Sequence, residues 1–68
     1  MINTDRLRGL MAEHRLSQAE VARRLGLSYR AMYLKMKHGT FWVSEAQQLV
    51  DMLDIKDPNA IFFADKSA

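Results

Sequence analysis

The sequence predicts an all-α domain of five short helices, and three observations predict it. Helix-starting and helix-stopping residues recur in order, apolar residues between them repeat at three- and four-residue spacing, and no stretch alternates apolar and polar residues as a half-buried strand would. The two middle helices carry the strongest signals. Ser17 is a good N-cap, Glu20 three residues on completes a capping box, and Leu16 and Val21 have the spacing of a hydrophobic staple. Ala22 is small where a neighbouring helix must approach, Leu25 closes the apolar stripe, and Gly26 can take the positive φ that ends a helix. The pattern restarts with Ser28 as N-cap between Leu27 and Met32, and Gly39 ends the second helix. Two helices across so short a turn predict a helix-turn-helix over about residues 17–38.

The flanking elements follow the same rules. A first helix is expected from about Thr4 to His14, capped by Asn3 or Thr4, with Leu7, Leu10 and Met11 on one side. Gly9 inside it costs about 1 kcal/mol relative to alanine, which close packing of another helix would explain. After a connector holding Phe41 and Trp42, a fourth helix is expected from about Ser44 to Leu53. Ser44 and Gln47 form its capping-box pair, with Val43, Ala46, Leu49, Val50 and Leu53 facing inward. Asp57-Pro58 opens a short fifth helix bearing Ile61, Phe62 and Phe63, since Asp caps well and Pro is favoured at the first helical position. The residues from about Asp65 onward are expected to fray. The predicted core is Leu7, Leu16, Val21, Ala22, Leu25, Leu27, Met32, Met36, Leu49, Val50 and Leu53, and truncating Leu25 to alanine is expected to cost about 2–5 kcal/mol.

Composition bounds the function. Sixty-eight residues form one small domain, 1–68, and 49% apolar residues can build a core. The chain has no cysteine, no apolar run long enough to span a bilayer and no N-terminal export signal, so a soluble cytoplasmic protein is expected. The net charge of +2 conceals a polarity. Residues 1–40 hold eight basic side chains against three acidic ones, whereas residues 41–68 hold two against five. The basic half contains the helix-turn-helix, as expected of a surface made for a polyanion.

Gln18-Ala19-Glu20-Val21-Ala22-Arg23-Arg24-Leu25-Gly26-Leu27-Ser28 resembles the helix-turn-helix of the Cro and phage-repressor family of small bacterial and phage regulators. Phe41-Trp42-Val43-Ser44-Glu45, with Leu49, Leu53, Ile55 and Ile61-Phe62-Phe63, is similar to the C-terminal part of its Cro-like members. The resemblance implies a five-helix, lambda-repressor-like domain that binds duplex DNA sequence-specifically. It also implies a homodimer on an operator of two half-sites, acting as a repressor or switch and bound to the nucleoid. It places base-reading residues at Tyr29 and Arg30 and, one turn on, at Tyr33 or Leu34, and it assigns Gln18 to a phosphate. Lys35 departs from the aliphatic residue common in relatives. Trp42 departs from a small capping residue, and Lys37-His38-Gly39 from the usual Asn-Gly turn.

The residues themselves support part of this. At about 100° per residue, Met32 and Met36 share one side of their helix, while Arg30, Tyr33, Leu34 and Lys37 lie largely away from it, with Tyr29 at the edge. Arginine can pair with guanine O6 and N7, and tyrosine can stack on sugar or bond a phosphate. Leu34 is left between a thymine-methyl contact and ordinary surface. The candidate DNA-facing set is Gln18, Ser28, Tyr29, Arg30, Tyr33, Leu34 and Lys37, although capping alone explains Ser28. Lys35 is expected to cover core with its stem and hold its ammonium toward solvent or a phosphate. Trp42 is assigned to the core ahead of a dimer contact or DNA-flanking surface. His14 and His38 have no carboxylates or thiols at ligand spacing, so neither a metal site nor catalysis is expected, and no cofactor or small-molecule effector is evident. The alternative is a protein-interaction module on the same scaffold, such as an antitoxin-like or antirepressor-like binder.

Overall fold

Asn3, Ser17 and Ser28 start three helices by one device: a side-chain oxygen accepts the backbone N–H three residues on, from Arg6, Glu20 and Ala31, each at 3.0 Å. The computed structural model describes residues 2–62. Its helices are α1 (Thr4–Glu13), α2 (Gln18–Leu25), α3 (Tyr29–His38), α4 (Val43–Met52) and α5 (Pro58–Phe62). The described residues contain no strand, and the domain is all-α with a central helix-turn-helix. Phe63 and the residues from Asp65 onward lie outside the described residues.

The first four helices also stop alike. Leu16, Leu27, Thr40 and Ile55 donate their N–H groups to the carbonyls five residues back, Met11, Ala22, Lys35 and Val50, at 2.8–3.2 Å. This Schellman closure needs a left-handed residue just before the donor. Gly26 (φ 76°) and Gly39 (φ 66°) supply it at the predicted places, whereas α1 and α4 use Arg15 (φ 58°) and Asp54 (φ 51°). The N-terminal segment then ties the ends together. Asn3 N–H donates to the Ile61 carbonyl at 2.7 Å, and Ile2 lies beside Gly39 at the end of α3, where an added Cβ would sit 3.5 Å from the Ile2 Cβ.

The core is Leu7, Leu10, Met11, Val21, Ala22, Met32, Met36, Leu49, Leu53, Ile55 and Ile61, contributed by every helix and the α4–α5 connection. Leu16, Leu25, Leu27 and Val50, predicted as core, are half-buried against it, and Phe41 and Phe62 join them. The cost predicted for Leu25→Ala therefore falls. Pro58 opens α5 as expected, and Ala60 N–H donates to the Asp57 carbonyl at 3.1 Å.

Three expectations are corrected. The space beside Gly9 is open, with no atom within 4 Å of an added Cβ, so close packing does not explain this glycine. The N-cap of α4 is Trp42, not Ser44: Glu45 Oε1 accepts the Trp42 N–H at 2.9 Å, and no Ser44–Gln47 box forms. An indole has no oxygen to return the bond, so only this half of a capping box exists. Capping the helix two residues early leaves Val43 and Trp42 outside, Trp42 69% exposed, so Trp42 is not core.

Candidate nucleic-acid interface

The fold presents α3 by burying one side of it. Met32 and Met36, one turn apart, sit in the core, and the Ser28 cap and Gly39 closure fix the helix's two ends. What remains outside is Tyr29 (62% exposed), Arg30, Tyr33 (48%), Leu34 (37%) and Lys37. With about 3.6 residues per turn, Tyr33 and Leu34 lie on either side of Arg30 around the axis. Lys37 lies beneath Arg30, two turns and about 10.5 Å further along. All five predicted residues of α3 thus share one exposed face. Gln18 begins α2 and is half-buried. Ser28 is exposed, but its Oγ already accepts the Ala31 N–H, as capping requires.

The cationic side chains of the described residues are unequal in freedom. Arg6 lies 3.8 Å from Glu13, Arg8 3.0 Å from Asp5 and Arg23 3.7 Å from Glu20, all exposed pairs that contribute little to stability. Glu20 reaches Arg23 rather than completing the box with Ser17. Among the described residues, no carboxylate pairs with Arg15, Arg24, Arg30 or Lys37. Helix α3 itself contains no acidic residue, and Lys35, Lys37 and His38 in its last turn suit the negative end of its dipole.

Lys35 does not face solvent or a phosphate, as the sequence had led us to expect. Its Nζ is 3.0 Å from Glu45 Oε1, both side chains are largely buried (15% and 7% exposed), and it sits 4.8 Å from the centre of the Trp42 ring. Sequence reading missed Glu45. The available signal was an acidic residue three positions after Trp42, the N3 place of a capping pair, which the better-known capper Ser44 obscured.

A separate groove of about 380 Å³ lies between α1 and the α4–α5 connection, over Leu10, Leu53, Ile55 and Ile61. None of the α3 residues lines it. No helix of the described residues is long and apolar enough to cross a membrane, and no group of three or more potential metal ligands occurs among them.

A second helix held across a short turn that contains glycine is the form in which helix-turn-helix proteins present a reading helix to DNA. The class is a helix-turn-helix DNA-binding regulator. Residues 4–38, from the start of α1 to the end of α3, match the family described as "Bacterial regulatory protein, Fis family", and the protein belongs to that family. Helices α4 and α5 lie beyond the matched span. The chain matches no curated protein and no solved structure.

Proposed function

We propose that this protein is a sequence-specific transcriptional regulator that lays α3 in the major groove of an operator. Tyr29, Arg30 and either Tyr33 or Leu34 meet the bases, and Gln18 and Lys37 hold the backbone. The observation that carries the reading is the outer face of α3: among the described residues no carboxylate pairs with Arg30 or Lys37, and α3 itself holds no acidic residue. Free cations replace the counterions condensed on DNA and draw the duplex in, while a bidentate arginine adds base discrimination.

The finer reading is a Cro-like repressor acting as a dimer on two half-sites. The resemblance of residues 18–28 to the Cro and phage-repressor family, and of residues 41–45 with Leu49, Leu53, Ile55 and Ile61-Phe62-Phe63 to its Cro-like members, supports the repressor part. Adjacent Trp42 and Val43, both well exposed, support the dimer, because a two-fold contact would cover apolar surface that the monomer leaves in water.

Selection of bound duplexes from a random pool tests both levels. An enriched site made of two inverted half-sites, with centres about 34–36 Å apart and two chains bound, is the expected result. Enrichment of one unrepeated element by a single chain removes the dimer. Failure to retain any duplex at low salt removes DNA reading and leaves the protein-interaction alternative.

A further inference from the structure

The side chains on the outer face of α3 are limited in kind, and that limit specifies the sequence they can read. The helix is Tyr-Arg-Ala-Met-Tyr-Leu-Lys-Met-Lys-His, with no Asn, Gln, Asp, Glu, Ser or Thr. Bidentate reading of adenine at N6 and N7 needs a side-chain amide, and accepting from cytosine N4 needs a carboxylate. Neither group exists on α3. Gln18, at the start of α2, is half-buried, and the Ser28 hydroxyl, whose oxygen accepts the Ala31 N–H, can add only a single-point contact. The tyrosine hydroxyls can make single hydrogen bonds but not a two-point match to a base edge.

What α3 does offer is one guanidinium in its first turns with apolar surface on both sides. Arg30 lies about 60° around the axis from Tyr33 and about 40° from Leu34. Leu34 is a wholly apolar side chain, partly exposed, on the same face as the exposed Arg30, and Tyr33 is half-exposed. In the major groove, guanine O6 and N7 match the guanidinium, and the feature that apolar side chains recognise is the thymine C5-methyl.

The geometry points to a half-site read as a guanine flanked by thymine methyls: Arg30 takes O6 and N7 of the guanine, and Leu34 and Tyr33 take the methyls. This rests on the proposal that α3 enters the major groove. No adenine is read by a two-point match from α3, so adenine enters chiefly as the partner of a contacted thymine.

The test starts from the duplex selected out of a random pool and alters one atom group at a time. Replacing a contacted thymine by deoxyuridine removes only the C5-methyl, and replacing the guanine by 7-deazaguanine removes only the N7 acceptor. Affinity should fall about 4-fold for each contacted methyl lost, the effect of one buried methylene-sized group. It should fall about 2- to 12-fold for the altered guanine, which loses one of the two bonds of the pair. In L34A, deoxyuridine at the thymine facing residue 34 should cost nothing further, while the 7-deazaguanine effect should persist; in R30A the pattern should reverse. Circular dichroism confirms that each variant folds. Unchanged affinity with deoxyuridine at every thymine, or a selected half-site lacking guanine, overturns the inference and leaves operator binding standing. If the pool yields no enriched duplex, both readings fall together.

Discussion

Lys35 Nζ lies 3.0 Å from Glu45 Oε1, so a cation in the second half of α3 is paired with an anion in the first turn of α4. The same carboxylate oxygen accepts the Trp42 N–H at 2.9 Å, and the Lys35 ammonium sits 4.8 Å over the Trp42 ring. One carboxylate therefore caps α4, neutralises Lys35 and fixes the side of α3 opposite its exposed arginine. The indole face carries the Lys35 ammonium, so a residue more than half exposed still has a structural task.

That arrangement predicts an asymmetric response to mutation. Removing one member of a buried pair strands the other, at a cost of 3–5 kcal/mol when both are fully enclosed, whereas replacing both with groups of similar size is often near neutral. Lys35 retains some exposure, so Glu45→Ala is expected to cost about 3 kcal/mol, at the lower edge of that range. Pairing Lys35→Met with Glu45→Gln should recover most of it, because the glutamine oxygen can still accept the Trp42 N–H. Urea unfolding of the single and double variants measures this. A Glu45→Ala loss below about 0.5 kcal/mol, typical of surface sites, would show that the pair stabilises nothing.

The core predicts an order of sensitivity rather than one large value. Leu49 is fully buried, so Leu49→Ala should cost about 2–5 kcal/mol by cavity formation. Leu25 is only half-buried at the edge of the core and should lose clearly less. Thermal melts of the two variants side by side decide the point. An equal or larger loss at Leu25 would mean that the α2–α3 turn is more tightly packed than its exposure indicates.

Helix termination offers two directions of change. Arg15 and Asp54 adopt left-handed φ with a Cβ in place, which costs about 1–2 kcal/mol per residue in ordinary side chains. Arg15→Gly and Asp54→Gly should each stabilise the fold by up to about 1 kcal/mol, the remainder being lost to the greater chain entropy of glycine. Gly26→Ala, at φ 76° with open space around it, should destabilise by about 1–2 kcal/mol through backbone strain alone. Melting temperatures that move the other way at Arg15 and Asp54 would mean their side chains contribute more than the strain they cause.

Most of this architecture could be read from the chain because its signals are local. Ser17, Ser28, Gly26, Gly39 and Pro58 act through bonds within a few residues, and the structure places each at the predicted helix end. The α3 face was legible for the same reason, since Met32 and Met36 fix which side is buried. The errors occur where distant residues compete. Ser44 is a better cap than tryptophan in isolation, yet Glu45 can satisfy the Trp42 N–H and Lys35 at once, so α4 begins at Val43. Lys35 looked free because its partner is ten residues away in sequence. Arg15 and Asp54 end helices without glycine, each followed by an apolar residue packed on or in the core, Leu16 and Ile55, which no pattern of capping residues announces.

The last prediction separates Arg30 and Lys37, the two exposed cations on the face of α3. Arg30 lies in the first turn, where a reading helix meets base edges, so Arg30→Ala should cost about 1–3 kcal/mol on the selected operator and less on random DNA. Lys37 lies about 10.5 Å further along the helix, where a helix tilted into the groove meets the backbone. Lys37→Ala should therefore weaken binding to all sequences alike and flatten the slope of log affinity against log salt by about 0.9, the loss of one neutralised phosphate. Both variants leave the core and every observed ion pair untouched, so unfolding does not confuse the reading. Fluorescence anisotropy on specific and random duplexes at several salt concentrations supplies the comparison. If Arg30→Ala preserves the ratio of specific to random affinity, Arg30 holds the backbone and sequence is read through Tyr29, Tyr33 or Leu34. If neither variant changes binding to any duplex, α3 does not face DNA, and its exposed aromatic and cationic surface must be assigned to a protein partner.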